Sequence, residues 1–140
     1  MRLLLATSLA WLCGVAAYCA ALALFWGQTM SGGDAIVVLL WSAIAMAIVV
    51  PVVYWPTLTT LAHLLKGYRP FLAFPLAAVA LGIVPTAFIL LMLGGRPRDL
   101  ASPEASLFYC MFGVVGIVLG LAFAFRRSAA AGQPPAIPVQ

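Results

Sequence analysis

The chain has few charged residues. Only 7% of its 140 residues are Asp, Glu, Lys or Arg, compared with roughly 25% in an ordinary soluble domain. Hydrophobic residues make up 66%, and the mean hydropathy is +1.17. Four runs without Asp, Glu, Lys, Arg or His each exceed the roughly 20 residues that cross about 30 Å of hydrocarbon as a helix. They lie between Arg2 and Asp34, Asp34 and His63, Arg69 and Arg96, and Glu104 and Arg126.

These runs predict an all-α integral membrane protein with four transmembrane helices, near residues 3–26, 35–55, 71–93 and 105–125. The first run is longer than the core of a signal peptide, so we expect it to be retained as a helix. A short amphipathic interfacial helix is predicted over 57–66, between the second and third spans. Residues 1–127 then form one transmembrane domain, and residues 128–140, rich in Pro and Ala, form a flexible cytoplasmic tail.

Residues needed for most catalytic chemistry are missing. His63 is the only histidine, whereas a zinc site needs three or four ligands and a b-type haem commonly needs two histidines. The three cysteines form no CxxC motif, and we expect them to be small buried hydrophobes. No GxSxG, HExxH or glycine-rich phosphate loop is present. We therefore expect no enzymatic activity, catalytic residue, metal or cofactor; a proximal metal ligand or proton relay at His63 is the alternative.

The few basic residues predict an orientation. Five of them fall on one side of a four-span topology and two on the other: Arg2, Lys66, Arg69, Arg126 and Arg127 against Arg96 and Arg98. Cytoplasmic loops carry the excess of Lys and Arg, so both termini should face the cytoplasm. The excess of Arg over Lys and the many alanines point to a GC-rich bacterial genome, and we expect the chain to lie in the bacterial cytoplasmic (inner) membrane. The basic residues form no patch with interleaved aromatics, so no nucleic-acid partner is expected.

The segment 57–66 has an amphipathic pattern. Its apolar residues, Leu58, Leu61 and Leu65, recur at helical spacing, whereas His63 and Lys66 share the opposite face. This pattern predicts a helix along the cytoplasmic interface with its leucines in the membrane. In the alternative geometry the second span continues past its prolines into the cytoplasm, and the leucines bind a partner.

Two stripes of small residues predict close helix contacts. The fourth predicted helix carries Gly113, Gly116, Gly120 and Ala124, and the first carries Ala6, Ala10 and Gly14. The spacing leaves open whether the stripes face each other, another copy or another protein. We expect the three glycines of the fourth helix to form an interface.

The sequence thus favours a protein that acts through its surfaces. We expect a non-catalytic accessory, stabilising or assembly subunit of a larger membrane protein complex, whose partners are lipids, other subunits or itself. The alternative is a small oligomeric transporter or flippase for lipids or hydrophobic small molecules. Three deeper aromatics, Trp11, Tyr18 and Trp41, either pack in the bundle or line a groove for a lipid, quinone or pigment.

Overall fold

The computed structural model describes residues 2–64 and 70–131, with side chains for 4–64 and 71–128. Its elements are α1 (Arg2–Trp26), α2 (Gly32–Val49), a π-helical segment (Val50–Tyr54), α3 (Trp55–Leu64), α4 (Pro70–Ala80), α5 (Ile83–Met92), a 3₁₀ segment (Pro97–Ala101) and α6 (Pro103–Ala131). Four stretches are long and apolar enough to cross a membrane: Leu4–Trp26, Gly32–Leu64, Phe71–Met92 and Pro103–Ser128. The predicted all-α membrane fold with four spans is confirmed.

The second span is longer than the sequence predicted. Pro51 has no N–H, and at this point the helix changes to π-type bonding, in which the Trp55 N–H donates to the Val50 carbonyl. α3 follows without a break, so the helical stretch has 33 residues and a length of about 50 Å. The helix predicted over 57–66 is thus the continuation of α2, as in the alternative geometry, but Leu58 packs in the core of the bundle and not on a partner.

The third span is kinked between α4 and α5. Pro75 lies inside α4, and Pro85 lies just after the start of α5. The buried Thr86 hydroxyl donates to the Gly82 carbonyl at 2.9 Å. It thereby supplies a local partner at the kink, as hydrocarbon requires.

Side-chain caps begin the second and fourth spans. Ser31 accepts a hydrogen bond from the Asp34 N–H at 3.3 Å, and Ser102 accepts one from the Ala105 N–H at 3.2 Å. Both starts lie at one end of the bundle, here called the acidic end. At the opposite, basic end, α3 and α6 finish and α4 begins.

α6 lies between α1 and α4 and is the most buried span. It contributes several fully buried residues, among them Met111, Phe112 and Val115. α6 also continues to Ala131, so the predicted tail starts later than residue 128. The rest of that tail, residues 132–140, lies outside the described residues.

Candidate functional site

The glycine stripe of α6 faces α4 of the same chain. A Cβ built at Gly116 would lie 2.6 Å from the carbonyl carbon and oxygen of Ala78. One at Gly120 would lie 2.5 Å from the backbone nitrogen and Cα of Pro75. The two glycines therefore allow the backbones of α4 and α6 to approach closely. α4 of the same chain therefore covers both positions, a neighbour that the spacing alone did not identify.

The stripe of α1 also packs within the chain. A Cβ at Gly14 would lie 2.6 Å from Cγ2 of Val115 in α6. The two stripes therefore do not face each other: α6 meets α1 through larger side chains and α4 through its glycines. The other small residues differ in burial: Ala10 and Ala124 are fully buried, Ala6 is half-buried, and Gly113 has open space around a Cβ position.

The deeper aromatics have contacts within the bundle. The Trp11 indole N–H donates to the Ser42 hydroxyl at 3.0 Å and so joins α1 to α2. The rings of Tyr18 and Phe108 lie 5.5 Å apart. Trp41 is half-buried against the core. These contacts favour the packing interpretation of the three residues.

The apolar face of α3 packs against the bundle. Leu58 belongs to the buried core, and Leu61 is half-buried against it, whereas His63 is exposed. The predicted amphipathic division is present at these three positions, but Leu58 and Leu61 pack against the core of the bundle instead of entering lipid. The reason is that α3 continues α2 and stays beside the other spans. Leu65 and Lys66 lie outside the described residues.

Aromatic rings and arginines form a cluster at the basic end. The Trp55 and Phe123 rings are 5.7 Å apart, and the Phe74 and Phe123 rings are 5.0 Å apart. The Arg126 guanidinium carbon lies 5.5 Å from the Trp55 ring centroid, and that of Arg127 lies 5.8 Å from the Phe74 ring centroid. Both distances allow a cation–π attraction, which holds each guanidinium on a ring.

An open groove of about 400 Å³ lies beside this cluster, between α3 and α6. We call it the basic groove, and its lining residues are Trp55, Thr59, Ala62, His63, Phe123, Arg126 and Arg127. The Thr59 hydroxyl donates to the carbonyls of Trp55 and Pro56, at 3.0 and 2.8 Å. Its oxygen retains a lone pair that can accept a further bond.

A smaller cavity of about 30 Å³ adjoins the basic groove. The two spaces share three lining residues, Trp55, Phe123 and Arg126. Tyr54 lines the cavity but not the groove. The Tyr54 side chain is 1% exposed, and its hydroxyl has no hydrogen-bond partner among the described residues. The cavity has enough space for about one water-sized group. A buried hydroxyl without a partner is unusual in a folded protein.

The acidic side chains lie far from the basic groove. The chain has three acidic residues, and Asp34, Asp99 and Glu104 all belong to the acidic end. Along α6, Glu104 and Arg126 are separated by about 33 Å at a rise of 1.5 Å per residue. Asp99 has its own cation, since its Oδ1 lies 3.7 Å from Nε of Arg98. The basic groove therefore keeps an excess of positive charge.

Cysteines and other metal-binding side chains are dispersed. Cys19 and Cys110 are exposed on the outside of the helices and Cys13 is half-buried, which corrects the expectation that all three are buried. Both exposed thiols lie on spans that lipid surrounds. Across residues 2–64 and 70–131, no three His, Cys, Asp or Glu residues lie close enough to hold a metal ion.

The sequence had singled out His63 at this end but not the groove beside it. In the sequence Arg126 and Arg127 indicate only an orientation, and Tyr54 and Trp55 are aromatics of the kind that favour a membrane interface. The sequence does contain one signal for the groove. The adjacent aromatics Tyr54 and Trp55 end the second predicted span at the same depth at which the arginine pair, Arg126 and Arg127, ends the fourth.

The fold defines a multi-pass α-helical membrane protein, with a basic, aromatic groove at one end of the bundle. Comparisons with protein-family models, with curated proteins and with solved structures gave no match.

Proposed function

We propose that the chain is a non-catalytic accessory, stabilising or assembly subunit of a larger membrane protein complex. The proposal rests mainly on the lipid-facing side of α2. There Ala43 and Ala47 are exposed, followed by exposed Pro51 at the same spacing of four. Small residues at this spacing let another transmembrane helix approach the backbone closely. Unlike the glycines of α6, these positions have no covering helix in the described bundle.

The test is to replace Ala47 with Leu. The larger side chain projects outward, so it should block a close partner helix while leaving the bundle intact. After extraction in mild detergent, native mass spectrometry should show the wild type in a complex of fixed stoichiometry with larger subunits. The Ala47→Leu variant should be lost from that complex.

Ala80→Leu is the matched control, because Ala80 is exposed on α4 beside two large exposed side chains, Leu76 and Val79. It should leave the complex unchanged. Equal retention of Ala47→Leu would contradict the α2 interface. A wild type that forms only homo-oligomers would contradict the accessory role and favour the transporter or flippase.

We further propose that the basic end faces the cytoplasm of a bacterial cell, with both termini on that side. Ala6 of α1 and Arg126 of α6 line one cavity, so the chain begins and finishes its bundle at the same end. The basic residues at that end support the cytoplasmic side.

Orientation can be tested by His63→Cys in a background where Cys13, Cys19 and Cys110 are replaced by Ser. His63 is exposed at the basic end, so a membrane-impermeant maleimide should label the new cysteine in inverted vesicles and not in intact cells. Gly33→Cys, which is exposed at the acidic end, should show the opposite pattern. Labelling of the His63→Cys variant in intact cells would reverse the topology.

A further inference from the structure

We propose that the basic groove binds the phosphate of an anionic phospholipid headgroup. The first observation is the state of the two arginines. Each guanidinium lies on an aromatic ring, and neither forms a hydrogen bond or ion pair with a described residue. Because a guanidinium has five N–H donors that match phosphate geometry, both side chains are available to an external anion.

Positioning of these donors is the second observation. Trp55, Phe74 and Phe123 form a continuous set of edge-to-face contacts beneath the arginines. The rings therefore hold the two cations at the side of the groove instead of leaving them free in water. Less side-chain entropy is then lost when an anion binds.

The third observation is Tyr54, whose side chain lines the adjoining cavity. Its hydroxyl is a buried donor without a partner among the described residues, and Arg126 lines both the cavity and the basic groove. A ligand oxygen, directly or through one water, would satisfy this hydroxyl and recover the cost of burying it. A phosphate group offers several oxygens together with a negative charge, which suits both this hydroxyl and the arginines.

Location makes a lipid the preferred source of the phosphate. Leu64 and Phe125, close in sequence to the groove residues, are largely exposed apolar side chains at the ends of two membrane spans. Acyl chains can cover such surfaces while the headgroup lies in the groove. Basic pockets between helix ends are a known means of binding anionic headgroups. This inference does not depend on whether the chain joins a larger complex.

The experiment measures lipid binding to the full chain in mild detergent. Phosphatidylglycerol, phosphatidylcholine with the same acyl chains, and inorganic phosphate are titrated separately, and bound molecules are counted by native mass spectrometry. We expect one phosphatidylglycerol to remain bound, and phosphatidylcholine and phosphate to bind much more weakly. Equal binding of the two lipids would overturn charge recognition. Tight binding or competition by inorganic phosphate alone would indicate a free-anion site and overturn the lipid assignment.

Variants then locate the lipid. Arg126→Gln with Arg127→Gln should weaken phosphatidylglycerol binding about 30-fold, from about fivefold for each basic residue at a membrane surface. Tyr54→Phe should also weaken it, although the charge is unchanged. Arg96→Gln with Arg98→Gln removes the same charge at the acidic end and should leave binding unaltered. An equal loss of phosphatidylglycerol binding in that control, or unchanged binding in the groove variants, would overturn the site. If a groove variant fails to fold, the wild-type titrations still decide whether the chain binds an anionic lipid.

Discussion

Gly116→Ala is expected to destabilise the bundle by about 1–3 kcal/mol, the usual cost of overpacking a filled contact. The new methyl group would lie 2.6 Å from the Ala78 carbonyl group and 2.7 Å from the Val79 nitrogen. Both neighbours are backbone atoms of α4, so no side chain can move aside. Separation of α4 from α6 is the only relief, and it weakens the contact on which the bundle depends. The free energy of unfolding can be measured by titration with SDS in mixed micelles.

Gly113→Ala is the matched control on the same helix. A Cβ at Gly113 has nothing within 4 Å, and alanine favours a helix over glycine by up to about 1 kcal/mol. The gain should be smaller in micelles, because transmembrane segments stay helical after the helices separate. We therefore expect the control to be as stable as the wild type or slightly more stable. Equal free energies for the two variants would refute the close contact of α4 with α6.

Membrane thickness explains why the four spans could be predicted from sequence. A charge-free run long enough to cross hydrocarbon has few alternatives to a helix, because lipid cannot satisfy backbone N–H and C=O groups. The caps at Ser31 and Ser102 are similarly local, since each bonds within three residues. The length of the second span was less predictable, because Pro51 was compatible with both an end and a π-helical turn.

The surroundings of each face could not be predicted in this way. Spacing places Gly116 and Gly120 on one side of α6, yet any of several helices could cover that side. Leu58 likewise belonged to an apolar face whose neighbour was unknown, and the predicted interface with lipid proved to be a contact within the bundle. Helix neighbours are set by packing between distant segments, which a periodic pattern does not encode.

The basic groove illustrates the same limit. Trp55 and Arg126 lie 5.5 Å apart, from ring centroid to guanidinium carbon, although 70 residues separate them in sequence. Each had a sufficient local explanation, the first as an interfacial aromatic and the second as an orientation signal. Those explanations remain compatible with the groove, because the same residues lie at the membrane boundary. Only the fold brings the cations, the rings and the Tyr54 hydroxyl together.

Phe112→Ala should also cost several kcal/mol. Phe112 is 0% exposed and packs beside the kink of the third span, where a Cβ at Gly82 would lie 3.3 Å from the Phe112 Cβ. In soluble proteins such a truncation costs about 3–5 kcal/mol through lost transfer energy and the remaining cavity. Within lipid the transfer contribution is largely absent, because a separated helix leaves Phe112 in hydrocarbon. We therefore expect a loss at or below the lower limit of that range, about 2–3 kcal/mol, most of it from the cavity.

Phe25→Ala separates the transfer contribution from the cavity contribution. Phe25 is 78% exposed on α1, so this substitution removes the same atoms without leaving a cavity. Its effect on the free energy of unfolding in mixed micelles should be below about 0.5 kcal/mol, as for surface positions in general. A large loss for Phe112→Ala beside none for Phe25→Ala would show that the bundle is stabilised by packing of the rings against neighbouring helices. Similar losses for both variants would mean that transfer of the rings out of water dominates the free energy of unfolding. That result would contradict the assumption that the separated helices stay in hydrocarbon.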